Sequence, residues 1–259
     1  MGSLYLADYI ANAEDYLGIL IPEGIRGNLD ARGIQKLCDG FHQRGVCSFL
    51  LSGDPQPFFV NAMQSAGAYA FHLANASDAQ KVTSEARPFY TAVGCGLWDC
   101  ARAIAKASRP TWDRNREYED DFLFVWFLMQ HFFLGADDAE CRQLIQRHDA
   151  VAEGADQAHR DVCTAFQQKD AGLFESALRE LLAARAERTE RMVAREAIPE
   201  ESWSWLRYFS FEGFGLLGLA VRVGLSVGSD FRHVSEALRA GPSFRFDADA
   251  WRRIDFSPP

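Results

Sequence analysis

Apolar side chains recur at helical spacing in nearly every segment of this chain. After Asp170, for example, five of them stand at positions i, i+3, i+4, i+7 and i+8: Phe174, Ala177, Leu178, Leu181 and Leu182. Runs of β-branched residues with period-two alternation are nearly absent, and no Asn-Gly or Asp-Gly turn lies between such runs. The sequence therefore predicts an all-α fold of about nine to eleven helices.

Prolines and glycines divide this pattern into segments. We expect the first helix to end at Pro22, and we expect three later helices at about Pro88 to Pro110, about Glu200 to Val223 and about Asp230 to Ala240. No repeat of about 34 to 45 residues is visible. The prediction is a single domain over residues 1–259, built as an array of antiparallel helical hairpins, with residues 240–259 as an irregular tail that packs back.

Composition narrows the classes of partner. The chain is 48% hydrophobic and has a formal net charge of −9. That charge disfavours nucleic acid and anionic membranes and favours a partner with a basic surface. The N-terminal segment lacks the pattern of a signal peptide, and the six cysteines are scattered as in proteins with free thiols, so we expect a cytoplasmic protein.

The densest charge cluster is an acidic segment made of Asp113, Glu117, Glu119, Asp120 and Asp121. Asp113, Glu117 and either Asp120 or Asp121 would share one helical face. Paired carboxylates on a helix can hold Mg²⁺, but Phe124 stands where such a metal motif would need a third acid. Acids also favour helix N-termini without any further role. If the segment has a function, we expect it to dock a basic protein surface.

Motifs for metal, cofactor or catalysis are not convincing. Cys38 and His42 share one helical turn, but zinc requires two more ligands. Residues 213–218 spell Gly-x-Gly-x-x-Gly, yet they lie inside an apolar helical pattern and do not follow a strand. We interpret these glycines as sites of close helix contact, and we predict no cofactor, no metal and no catalytic residue.

Glu212 is the one acid among the aromatic residues of the segment 203–214. A carboxylate in such surroundings must be paired or must have a raised pKa. We interpret Glu212 as a structural buried acid, paired with Arg207 or another arginine. The alternative is a site residue with a perturbed pKa.

The last third of the chain resembles a known family. The segment Leu173 to Glu187, then Trp203 to Gly213, and then Leu216 to Ala220 are similar to the C-terminal half of the immunity protein 49 family, helical proteins encoded beside bacterial polymorphic toxins. Phe214 and Gly215 depart from the leucines usual there. The resemblance implies a cytoplasmic protein of bacterial competition that binds and blocks a cognate toxin.

Two other functions remain open at this stage. A helical adaptor would bind a partner that is not a toxin. An enzyme would have a carboxylate with a perturbed pKa, Glu212 or Asp121, facing a cavity.

Overall fold

A computed structural model describes residues 5–152, 157–195, 205–254 and 256 of the chain. These residues contain ten α-helices and no β-strand, so the fold is all-α, as predicted. The helices are α1 Leu6–Ile25, α2 Ala31–Ser52, α3 Gln56–Asn75, α4 Arg87–Gly94, α5 Trp98–Ala107, α6 Glu119–Met129, α7 Asp138–Val151, α8 Gln157–Gln168, α9 Ala171–Ala194 and α10 Phe211–Arg222. Within the described ranges, no helix combines the length and apolarity that a membrane crossing requires.

Polar side chains fix where several helices begin. Asp30 accepts a hydrogen bond from the Gly33 amide at 2.8 Å and so caps α2, and Asp170 caps α9 in the same way. Ser210 accepts from the Gly213 amide at 3.1 Å and starts α10 at Phe211. The expected helix from about Glu200 is therefore wrong in its start for residues 205–210, and residues 196–204 lie outside the described part of the chain.

Other predicted boundaries are also corrected. The expected helix from Pro88 to Pro110 is two helices, because α4 ends in a turn in which Gly96 has a φ of +70°. Pro22 does not end α1, which continues to Ile25. The expected helix from Asp230 to Ala240 is reduced to the single 3-10 turn Glu236–Leu238.

Helix α3 is central to the packing. It lies against α2, α4 and α5, and Ala62 and Ala66 on its contact face are fully buried. Helix α10 packs closely on α4, where a Cβ at Gly215 would stand 2.8 Å from the backbone of Tyr90. The glycines of α10 thus serve close helix contact, which confirms that interpretation.

One continuous apolar core joins elements from distant parts of the chain. Six aromatic side chains, from α3, α4, α6, α9 and α10, lie deep in it: Phe59, Phe89, Phe124, Phe127, Phe174 and Phe214. The late 3-10 segment Ala250–Arg253 adds Trp251, which is 1% exposed and contacts α1 and α3. All six cysteines are free and buried, in agreement with the sequence.

Candidate functional site

A cleft of about 440 Å³ opens where α4, α6, α8, α9 and the start of α10 meet. We call it the His159 cleft. Its charged lining combines both signs: Glu85, Arg87, Asp121, His159, Arg185, Arg188 and Glu212. Apolar side chains form the rest of the wall, among them Phe124, Leu206 and Phe211. A concave site with a few converging polar groups on apolar walls is typical of ligand and partner binding.

The centre of the cleft is a pair of side chains from α8 and α10. His159 Nε2 lies 2.8 Å from Glu212 Oε1, and the imidazole stacks on Phe124 with ring centroids 4.0 Å apart. The two side chains are 17% and 25% exposed, so both reach the cleft. A carboxylate that orients an imidazole favours one ring nitrogen for binding or for proton transfer.

Glu212 is held in its charged form. Burial by itself raises the pKa of Glu212, but the charge and hydrogen bond of His159, with the charges of Arg185 and Arg188, lower it below its ordinary value. The carboxylate is therefore a fixed negative charge that a cationic group in the cleft would meet.

Arg185 forms part of the wall from α9. Its Nη2 donates to the carbonyl oxygens of Leu206 at 2.6 Å and Phe209 at 2.8 Å, which ties α9 to the segment before α10. Burial lowers the pKa of Arg185 to about 10, and its buried Nη1 has no hydrogen-bond partner among the described residues. Arg185 thus links α9 to the segment before α10, and it is also a partly desolvated cation near Glu212.

Glu85 also lines the cleft. Burial raises the pKa of Glu85, while Arg87 opposes that effect. Arg87 itself forms an ion pair with Asp39 of α2. The cleft therefore contains two carboxylates with opposite pKa shifts, Glu85 upward and Glu212 downward, in one polar space.

The acidic segment has a different structure from the expected one. Residues 114–117 form a turn and a bend, and α6 begins only at Glu119, so Asp113 and Glu117 do not share a helical face with Asp120 or Asp121. The reason is local: Asp113 accepts from the Asn115 amide at 3.1 Å, and Glu117 accepts from the amides of Ser84 and Asp113. Acid side chains that bond to nearby amides compete with the helix.

Most of these acids already have intramolecular partners. Asp113 pairs with Arg109 at 2.7 Å, Glu119 pairs with Arg147, and Glu117 is only 9% exposed. Asp120 is half-buried, and Asp121 is exposed and lines the His159 cleft. The structure thus brings Asp121, alone among the five, to the same cleft as Glu212.

The partner of Glu212 differs from the expected one. Arg207 lies against Glu190 at 2.6 Å, and the hydrogen-bonding partner of Glu212 is His159. The sequence analysis gives His159 no role. The available signal was the pair Arg185 and Arg188, which lies one turn apart beside the apolar face of α9.

Metal binding finds no support in the geometry. Among the residues that the structure describes, no three His, Cys, Asp or Glu side chains are grouped as a metal site. Cys38 donates instead to the Ser65 carbonyl oxygen at 3.6 Å, and His42 contacts the Thr91 hydroxyl at 3.0 Å.

Comparison of the chain with protein-family models, with curated proteins and with solved structures gives no match. The resemblance to the immunity protein 49 family therefore stays a prediction from the sequence.

Proposed function

We propose that this chain is an immunity protein, which binds a cognate bacterial toxin domain in the cytoplasm and blocks it by covering its active site. We further propose that the His159 cleft is the centre of that contact. One observation carries the proposal: the segments that resemble the immunity family include α9 and the start of α10, and both line the His159 cleft, where Glu212 lies among charges of both signs.

The mixed charge of the cleft favours protein side chains as its occupants. A lysine or arginine of the partner would pair with Glu212 and Asp121, while an adjacent acid would pair with Arg188. Phe124, Leu206 and the neighbouring apolar wall would contact the rest of a protruding loop. The net charge of −9 would speed the approach of a basic surface.

The test is capture of the partner from the native host, followed by co-expression of the recovered toxin domain with this chain. We expect growth rescue together with a tight stoichiometric complex. Asp121→Arg should weaken the complex at least about tenfold, because one exposed acid at the cleft becomes a cation. The matched control is Asp15→Arg on α1, an exposed acid outside the cleft, which should leave binding unchanged.

Three results would contradict this proposal. Absence of both rescue and complex would rule out the immunity function, and a complex with a partner that is not a toxin would indicate an adaptor. Rescue that withstands Asp121→Arg as well as Asp15→Arg would move the contact away from the His159 cleft.

An enzyme is the second candidate, because an oriented imidazole in a polar cleft is suited to general acid–base catalysis. The two candidates differ in the number of copies of this chain that are needed. A blocking protein neutralises its toxin only at about one copy per toxin. An enzyme would act at far fewer copies per toxin. His159→Gln separates them further: in an enzyme it would abolish activity without dissociating the complex.

A further inference from the structure

A second concavity, of about 520 Å³, has a lining of different character from the His159 cleft. It lies between the start of α2, the end of α3, residues 80–85 and residues 115–116, and we call it the Arg32 groove. Its charged lining comprises Arg32, Lys36, Lys81 and Arg116, with a single acid, Glu85. A chain with a net charge of −9 therefore has a locally basic groove.

The basic side chains of the groove are mostly uncompensated. Arg32 and Lys36 stand one turn apart on α2 and are exposed, and within the described ranges neither forms an ion pair. Arg116 donates to the Ala79 carbonyl oxygen, so the backbone of residue 79 positions its guanidinium group. Lys81 is the exception, since Asp78 lies 3.1 Å from its Nζ.

The floor of the groove is apolar. Ile34, Tyr69, Leu73 and Val82 line it, and each is less than one-tenth exposed. At its edge the buried Nε2 of His72 has no hydrogen-bond partner among the described residues. An occupant that matches both features has an anionic end and an apolar body.

We propose that the Arg32 groove binds a small phosphate ester, with its phosphate at Arg32, Lys36 and Arg116 and its organic group on the apolar floor. A phosphate dianion matches several converging cations better than a single carboxylate does. Nucleic acid is a poorer match, because a long polyanion would extend past the groove over the acidic remainder of the surface, which repels phosphates that come within about one Debye length, roughly 8–10 Å.

Titration followed by amide NMR shifts tests this site on the whole chain with three probes: phenyl phosphate, inorganic phosphate and phenol. We expect phenyl phosphate to bind most tightly, to shift the amides of residues 32–36 and 81–85, and to weaken as salt is added. Equal affinity for inorganic phosphate would overturn the role of the apolar floor. Equal affinity for phenol would overturn the phosphate contact, and no binding of phenyl phosphate at low salt would overturn the site.

Two variants should shift the affinity for phenyl phosphate in opposite directions. Lys36→Gln should weaken binding about tenfold, because it removes a charge-assisted contact. Glu85→Gln should tighten binding, because it removes the single acid of the lining. Lys106→Gln on α5 is the matched control: this lysine is exposed, lies outside the groove and should change nothing. Equal weakening by Lys36→Gln and Lys106→Gln would overturn the proposal.

Discussion

Helix α10 makes two neighbouring contacts that follow different physical rules: a close packing on α4, the α4 side, and the contribution of Glu212 to the His159 cleft, the cleft side. On the α4 side, Gly215 and Gly218 let two backbones approach closely, and any added atom meets the backbone of Tyr90 or Val93. On the cleft side, Glu212 keeps a quarter of its surface exposed and is held by His159. The α4 side depends on shape, and the cleft side depends on charge. A change of pH should therefore affect the cleft side, and a substitution should affect mainly the side on which it lies.

The largest effect is expected on the α4 side. Gly215→Leu should reduce the free energy of unfolding by about 4 kcal/mol, since its side chain would overlap backbone atoms that cannot move aside. Urea unfolding measures the change. Gly172→Ala is the control, because the nearest atom to its Cβ would be at an ordinary 3.4 Å, and it should be neutral or slightly stabilising. A loss below about 1 kcal/mol in Gly215→Leu would contradict the close contact.

The next largest effect is a loss of stability at acid pH, and it should arise at His148, near the His159 cleft. His148 of α7 is 2% exposed, and both its ring nitrogens lack hydrogen-bond partners among the described residues. Burial lowers its pKa from 6.5 to about 4, with a further contribution from the charge of His159; Arg160 also lowers it, while Asp120 and Asp149 oppose the shift. A histidine with a depressed folded pKa stabilises the fold above its unfolded pKa, and that stability is lost as the pH falls from about 6.5 towards 4.

We therefore expect His148 to contribute up to about 3 kcal/mol of the stability lost between pH 7 and pH 4. His148→Gln should flatten the stability profile over that range, and urea unfolding at several pH values measures it. Parallel profiles for the original chain and the variant would show that His148 does not titrate in this way. Gly215→Leu should shift the profile without flattening it.

Glu212→Gln tests the cleft side directly. The variant removes the charge that faces His159 and should cost about 1–2 kcal/mol at pH 7. Because the folded pKa of Glu212 is lowered, its contribution is present above the unfolded pKa and is lost as the pH falls through the folded value. The original chain and the variant should therefore converge in stability as the pH falls through the lowered folded pKa of Glu212, as measured by urea unfolding. A constant difference at all pH values would indicate lost packing and not lost charge.

The smallest effect is expected at the ion pair between Arg207 and Glu190. Glu190 is 55% exposed at its side chain, so Glu190→Gln should change stability by less than about 1 kcal/mol, and added salt should reduce the difference. Thermal unfolding at low and high salt measures it. A larger change would mean that this pair contributes to holding the segment before α10 in place.

The sequence predicts the fold class and the α4 side of α10 well, because both depend on local patterns. Helical spacing identifies the core residues of α9, and glycines within an apolar helix indicate close contact. Helix ends are less predictable: Ser210 starts α10 through one side-chain hydrogen bond, whereas Ser235, before the 3-10 turn Glu236–Leu238, makes no such bond.

The cleft is hard to predict for a different reason. His159 and Glu212 are 53 residues apart, and nothing in either segment indicates that they meet. The acidic segment is the stronger candidate from the sequence, because its charges are adjacent there. In the structure, Glu117 accepts hydrogen bonds from the amides of Ser84 and Asp113. The net charge misled in a similar way, since a total of −9 does not show that Arg32 and Lys36 border a basic groove.

Trp251 is synthesised late, yet it packs against the early helices α1 and α3. Its ring lies within 3.5 Å of where a Cβ would stand at Gly24 and at Gly67, and nearby the Asp247 amide donates to Met63 Sδ across 184 residues of chain. On the ribosome, α1 and α3 therefore emerge long before the side chain that covers them. Until residue 251 has been synthesised, the apolar surface of α1 and α3 that Trp251 covers therefore stays exposed to solvent.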